Sequence, residues 1–204
     1  MKKLILTAAF SILIFQFNQA QELTFGVKGG INLASLGGDV APSAKGKMGF
    51  HLGGIAEYML SDEFGVQAEL LYSALGGKYE ETNEGVSIKE KTKLSYITLP
   101  VVGKYFVTDE IALEAGPQFS FLMSAESEGE STFDGETQSA TEDISNGING
   151  IDLGFGIGGS YNTDGGLFFG LRYVLGLSNI FSDAPDGISV VNNVFQVSAG
   201  YKFN

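Results

Sequence analysis

Eight ionisable side chains, Lys28, His51, Glu57, Glu69, Lys104, Glu114, Asp152 and Arg172, each stand in a segment whose neighbouring positions are apolar. Charge in such a setting is either paired or put to chemical use, because burying it alone is costly. Three kinds of chemistry follow from these residue types: acid–base or nucleophilic catalysis around His51, a charged pathway for solutes, or a static network of ion pairs. His51 is the sole histidine, and as a base it would need a nucleophile and an orienting partner beside it. With one histidine and no cysteine the chain lacks the donors of a transition-metal centre, and no metal or cofactor is expected. Gly154–Gly159 matches G-x-G-x-x-G in form, but it lies inside an alternating segment and not at a strand–turn–helix junction, so it is no dinucleotide fingerprint.

The elements that hold these groups read as strands. Apolar and polar positions alternate with period two over about 23–34, 47–59, 64–76, 93–106, 110–123, 150–162, 166–177 and 191–203. These segments exceed the roughly 5–6 residues usual in soluble sheets and suffice for the about 9–11 that cross a bilayer. The connections alternate between short turns (60–63, 107–109, 163–165) and long loops (about 35–46, 77–92, 124–149, 178–190). Short turns on one side and long loops on the other is the pattern of an outer-membrane barrel, with the short turns periplasmic. The fold class expected is all-β: an eight-stranded antiparallel transmembrane β-barrel.

Alternation alone does not say which face is inside, since a soluble barrel would turn the apolar set inward. The glycines decide. Gly26, Gly30, Gly53, Gly116, Gly156 and Gly200 share the charged face. Glycine weakens a strand, but a lumen of only eight strands is barely wide enough for side chains, so large charged groups need small neighbours. The charged face is therefore expected inside, with Phe25, Phe50, Leu70, Leu99, Phe119, Phe155, Tyr173 and Val197 toward lipid. Phe25, Tyr58, Phe64, Tyr105, Phe106, Tyr161, Phe168, Tyr201 and Phe203 fall near the short-turn ends and are expected to form one interfacial girdle.

The ends give the same address. Met1-Lys2-Lys3 precedes an apolar stretch from Leu4 to Phe17 and an Ala20 cleavage position, so residues 1–20 read as a signal peptide and 21–204 as the barrel domain. Removing Lys2 and Lys3 takes the formal charge from −12 to −14, which excludes a nucleic-acid partner. The 29 glycines, 16 phenylalanines and 8 tyrosines fit β-structure with aromatic belts.

Phe64–Ser73, Tyr96–Phe106 with its Leu99-Pro100, Leu171-Arg172-Tyr173 and the terminal Gly200-Tyr201-Lys202-Phe203 together resemble the small outer-membrane β-barrel family of Bacteroidetes labelled PorT-like or "porin family". The resemblance spans the mature chain, and implies localisation in the bacterial outer membrane among its lipids. One branch of that family serves a secretion machinery. The chain departs from the pattern in ending on Asn204 and in carrying Thr98 where an acidic residue often precedes Leu-Pro.

Glu69 with Lys104, and Arg172 with Asp152, are the expected luminal pairs, with Lys28 or Lys202 reaching Glu57 or Glu114. Ser124–Gly150 is expected to be a mobile, solvated loop whose charge is wholly acidic: Glu126, Glu128, Glu130, Asp134, Glu136, Glu142 and Asp143. These would receive a basic envelope partner. The leading expectation is a non-enzymatic structural or partner-binding envelope component, accessory to a secretion or envelope assembly. A narrow or gated pore is the alternative, and a lipid-modifying enzyme a third reading.

Overall fold

The computed structural model describes residues 23–39, 45–83, 86–133, 136–182 and 188–203. The expected signal segment 1–20, Glu84, Asp134 and Asn204 lie outside them, as does the side chain of Glu136.

Nine strands form one antiparallel sheet: β1 Leu23–Gly38, β2 Lys45–Met59, β3 Phe64–Asn83, β4 Val86–Phe106, β5 Ile111–Phe133, β6 Glu136–Asp143, β7 Ile151–Asn162, β8 Leu167–Gly176 and β9 Val190–Phe203. Eight of them close a ring. The sheet runs β4-β3-β2-β1-β9-β8-β7-β5, and β5 pairs back to β4. The ninth, β6, pairs with β5 alone and stands outside the ring.

Three tight turns join strands at one end. Leu60 donates its backbone N–H to Phe64 (2.8 Å), Val107 to Ile111 (2.8 Å) and Thr163 to Leu167 (2.9 Å). Gly166, with φ of +83°, closes the last of these in a conformation that residues with a Cβ rarely adopt.

At the other end the strands continue past the barrel. The β3–β4 ladder, which skips Glu69 and Leu70, holds one register out to Asn83 opposite Val86, and the β4–β5 ladder extends to Phe133 opposite Val86. Near Ser95 the β4–β5 register slips by one, so that Ser95 faces Ser124 while Tyr96 faces Leu122, leaving Met123 as a bulge. The segment expected to be a mobile loop is thus a correction: 126–133 and 136–143 form a hairpin, with Glu126 opposite Asp143 and Phe133 opposite Glu136. Its acidic residues alternate with Ser, Thr and Gly, and Glu126, Glu128 and Glu130 sit directly opposite Lys93, Lys91 and Lys89. Opposite charges across a ladder stabilise a strand in water, which a one-sided count of the loop's charges overlooks.

The apolar positions face outward, as expected. Phe25, Phe50, Leu70, Phe119, Ile157, Leu171 and Val197 are all exposed on the outer wall. Phe64 stacks near Tyr105 at the short-turn end, ring centroids 4.9 Å apart, with Tyr201 and Phe203 5.8 Å apart alongside. Two members of the expected girdle belong elsewhere. Phe168 is only 3 % exposed, and it and Phe106 lie on the inward parity, beneath the lysines of the lumen.

Candidate functional site

All eight predicted interior residues are buried in the lumen, together with Lys202 at its mouth. Four cations (Lys28, Lys104, Arg172, Lys202) meet three carboxylates (Glu57, Glu69, Glu114), while Asp152 stands apart near the far end. They are organised in layers.

The layer nearest the short turns is centred on Glu57. Lys104 donates to its Oε2 at 2.6 Å and Lys202 to its Oε1 at 2.5 Å. Both ammonium groups also lie against aromatic faces: Lys104 5.4 Å from the Phe106 centroid, Lys202 5.9 Å from Phe106 and 5.8 Å from Phe168. Cation–π contact of this kind stabilises a partly desolvated ammonium. Phe106 and Phe168 thereby close the periplasmic mouth.

Above it Glu69, 1 % exposed, is the hub. Arg172 grips it with two parallel bonds, Nη2 to Oε1 at 2.7 Å and Nη1 to Oε2 at 3.0 Å, while Lys28 donates to both oxygens at 3.1–3.2 Å. The remaining Arg172 donor, Nε, reaches Glu114 at 2.8 Å. Bidentate pairing of this type is the strongest geometry available to a carboxylate. Gln67 ties the two layers together, accepting from Lys104 at 3.2 Å and donating to Glu69 at 2.6 Å.

Both pairs named from sequence are therefore corrected. Lys104 stands opposite Gly65, so Glu69 lies four residues farther along β3, about 13 Å away along the strand. Arg172 stands opposite Gly158, which leaves Asp152 six residues beyond, about 20 Å. Asp152 instead accepts from Ser178 at 2.6 Å and Asn192 at 2.9 Å near the far end.

His51 occupies a third layer. Its Nδ1 is 2.8 Å from Asn32 Oδ1 and its Nε2 3.0 Å from Ser198 Oγ. The order serine, histidine, amide oxygen is that of a hydrolase triad, a juxtaposition hidden in sequence because 147 residues separate Ser198 from His51. Its surroundings oppose catalysis. Ser198 is 5 % exposed, and β9 is paired on both sides there, to Gly30 of β1 and Gly170 of β8. Asn32 is further engaged by Ser73, Gln196 and the carbonyls of Phe50 and Ala74. Among the described residues, the backbone of β9 around Ser198 is taken up by its two ladders and is not arranged as an oxyanion hole. Ser198→Ala is expected to leave membrane lipid composition unchanged and to lower stability by about 1 kcal/mol, the ordinary worth of one hydrogen bond. A fluorophosphonate probe that labelled Ser198 in the folded barrel would contradict this.

The fourth layer is apolar and has no counterpart among the residues expected from sequence. Leu75, Leu94, Tyr96, Val174, Val194, Ile148 and Ile180 pack into an apolar plug beneath the long hairpins. The signal was present: Leu75, Leu94, Val174 and Val194 continue the parities of Glu69, Lys104, Arg172 and Gln196.

Beyond the plug, β3, β4, β5 and β6 form a four-stranded extracellular sheet. Lys89 pairs with Glu130 at 3.4 Å, Lys91 with Glu128 at 3.5 Å, and Lys93 also bonds Glu128. The Lys93 hydrogen bond holds the Glu128 carboxyl below the usual carboxylate range. Of the seven acidic residues predicted for partner binding, Glu126, Glu128 and Glu130 thus face lysines, while Glu142 and Asp143 stand on β6.

A closed antiparallel ring of eight strands with an apolar outer wall and a charged, filled lumen defines an integral outer-membrane β-barrel protein. Residues 17–182 match the family described as outer membrane protein β-barrel domain, and the chain belongs to that family. Its fold is similar to that of Ail, the attachment invasion locus protein of Yersinia pestis, with a TM-score of 0.50 and 15% identity over 89% of this chain and 99% of that one. Neisserial surface protein A (TM-score 0.48, 13% identity, 88% and 97% covered) and OprG of Pseudomonas aeruginosa (0.43, 14%, 90% and 97%) are also similar. No curated protein matches the sequence.

Proposed function

We propose that residues 1–20 direct export and are removed, and that the mature chain is a non-enzymatic, non-conducting envelope component of the PorT-like kind its strands resemble. Its extracellular sheet engages a basic partner of a secretion or envelope assembly.

The observation that carries this reading is the contrast between the two halves of the molecule. Among the described residues, the lumen is occupied from Phe106 through the ion-pair layers to the apolar plug at Ile180, which supports a closed barrel over a pore. The strands nonetheless run on into a sheet whose last member, β6, is paired on one side only. An open strand edge is a ready site for an added extended segment. The β6 sequence, Glu-Thr-Gln-Ser-Ala-Thr-Glu-Asp, carries acidic and no basic side chains, which favours a segment of opposite charge. A second copy fits poorly, because antiparallel pairing about the centre of β6 sets Glu136 opposite Asp143.

Ser127 and Glu142 are register partners, so joining them through an Asn-Gly turn removes the hairpin tip while leaving the ring intact. Gentle detergent extraction from native membranes is expected to yield a stoichiometric complex from the full chain and the bare barrel from the shortened one. Recovery of a lone monomeric barrel from the full chain, or retention of the partner after shortening, would sink the proposal.

A further inference from the structure

The cations of this acidic protein are placed with marked asymmetry. Of 12 Lys and Arg, Lys2 and Lys3 belong to the expected signal and four fill the lumen. The other six, Lys45, Lys47, Lys78, Lys89, Lys91 and Lys93, all lie at the extracellular ends of three adjacent strands, β2, β3 and β4. None is found on the extracellular parts of β1, β5, β6, β7, β8 or β9.

Their register places like charges side by side. Lys78 is the ladder partner of Lys91, and the backbone of Lys45 on β2 stands opposite Lys78. Lys93 stands opposite Gly76, and the Lys47 amine, which donates to the Leu75 carbonyl at 2.6 Å, feels the charges of Lys78, Lys91 and Lys93. Like charges directly opposite destabilise a ladder unless a counter-charge lies between them. Glu128 and Glu130 offset Lys89, Lys91 and Lys93 from the β5 side. On the β3 side, Lys78 is exposed and has no acidic partner among the described residues.

The height of these lysines identifies what could supply the missing charge. On β4 the outward residues run Tyr105, Gly103, Val101, Leu99, Ile97 and Ser95, then Lys93, Lys91 and Lys89. The ten residue-to-residue steps from Tyr105 to Ser95 cover about 33 Å of strand, or about 25 Å of height at a tilt near 40°, which equals the apolar band of an outer-membrane barrel. Lys93 is therefore the first outward side chain beyond the hydrocarbon, and Lys91 stands about 5 Å higher. This is the level of outer-leaflet headgroups.

We propose that the outer face formed by Lys78, Lys91 and Lys93 binds the phosphorylated headgroup of an outer-leaflet glycolipid. A phosphate supplies several acceptor oxygens and a charge near −2 to lysines that act as point charges. A soluble acidic protein would have to reach down to the membrane boundary to meet the same groups, whereas the lipid is already there. The acidic β5–β6 side confines the anion to β2–β4. The proposal uses the outer-membrane setting and extracellular placement of the hairpins, and is independent of the β6 edge and any protein partner.

Native mass spectrometry of the purified, folded barrel in neutral detergent would test it, with diphosphoryl lipid A, the same glycolipid dephosphorylated, and inorganic phosphate as probes. The phosphorylated lipid is expected to bind at least tenfold more tightly than the dephosphorylated one. Replacing Lys78, Lys91 and Lys93 together by Gln should abolish that preference, and replacing all three by Arg should retain it. Lys78→Gln alone removes no ion pair among the described residues and is expected to weaken binding about threefold, so it carries the test should the triple variant fail to fold. Equal binding of the two glycolipids, or a preference that survives the Gln variants, would overturn the proposal. Inorganic phosphate binding as tightly as the lipid would make this a free-anion site and overturn the lipid as occupant.

Discussion

Arg172→Leu is expected to lower the unfolding free energy of the barrel by about 3–5 kcal/mol, the range for removing one partner of a buried ion pair. The magnitude follows from what the guanidinium leaves behind. Glu114 loses the ion pair it makes with Arg172 Nε, and Glu69 loses two of its four cationic donor contacts. Glu69 keeps Lys28 and Gln67, so the uncompensated charge falls mainly on Glu114. The double variant Arg172→Leu with Glu114→Leu restores neutrality to the layer, with Lys28 and Glu69 still paired. It should therefore recover about 1–2 kcal/mol relative to the single variant, a coupling typical of residues in one network. Urea midpoints in detergent micelles would measure both. An unchanged midpoint in the single variant, or strict additivity in the double, would show that the layer is not an electrostatic unit.

The same layer shows how far sequence reasoning reaches. Period two assigns Glu69, Lys104, Glu114 and Arg172 to one face, and glycines on that face turn it inward. Both inferences need only local alternation and the width of an eight-stranded lumen. Pairing needs stagger as well. Neighbouring strands in a tilted barrel are offset along their length, so groups at similar distances from their own turns meet only where the register allows. Glu69 lies five residues from Phe64 and Lys104 two residues from Phe106, and that difference separates them. Phe106 and Phe168 illustrate a related limit. Aromatic residues at strand ends suggest a girdle, but one position of parity moves a ring from lipid to lumen, where these two cover Lys104 and Lys202. The extracellular sheet was hidden for another reason. Ser, Thr, Gly and Glu look like solvated loop until Lys89, Lys91 and Lys93 are set opposite Glu130, Glu128 and Glu126.

Gly30→Val is expected to prevent closure of the barrel. The ring is sealed between its first and last strands, and the luminal side of that seam is lined by Gly26 and Gly30 on β1 and Gly200 on β9. A Cβ on Gly30 would run into the carbonyl oxygen of Val197, and would lie 2.8 Å from both Ser198 Cα and His51 Cε1. Two of those three obstacles are backbone, which moves only if β1 and β9 separate. At Gly26 two of the three obstacles are again backbone, the Tyr201 carbonyl at 2.5 Å and Lys202 Cα at 3.1 Å, the third being Ile55 Cγ1 at 3.1 Å. Overpacking that flexible side chains can absorb costs about 1–3 kcal/mol, and a clash with the closing ladder should exceed it. Gly29→Val is the matched control. Its Cβ faces outward, meets Leu52 Cδ1 at 3.1 Å and leaves the His51 carbonyl at an ordinary 3.5 Å, so rotation of one lipid-facing leucine relieves it. In refolding assays read by the mobility difference between heated and unheated samples, Gly29→Val should give a compact band near wild-type yield. Gly30→Val should give little or none. Equal yields from the two variants would mean that the seam tolerates a side chain on its luminal face, and that its glycines are not what lets the first and last strands close.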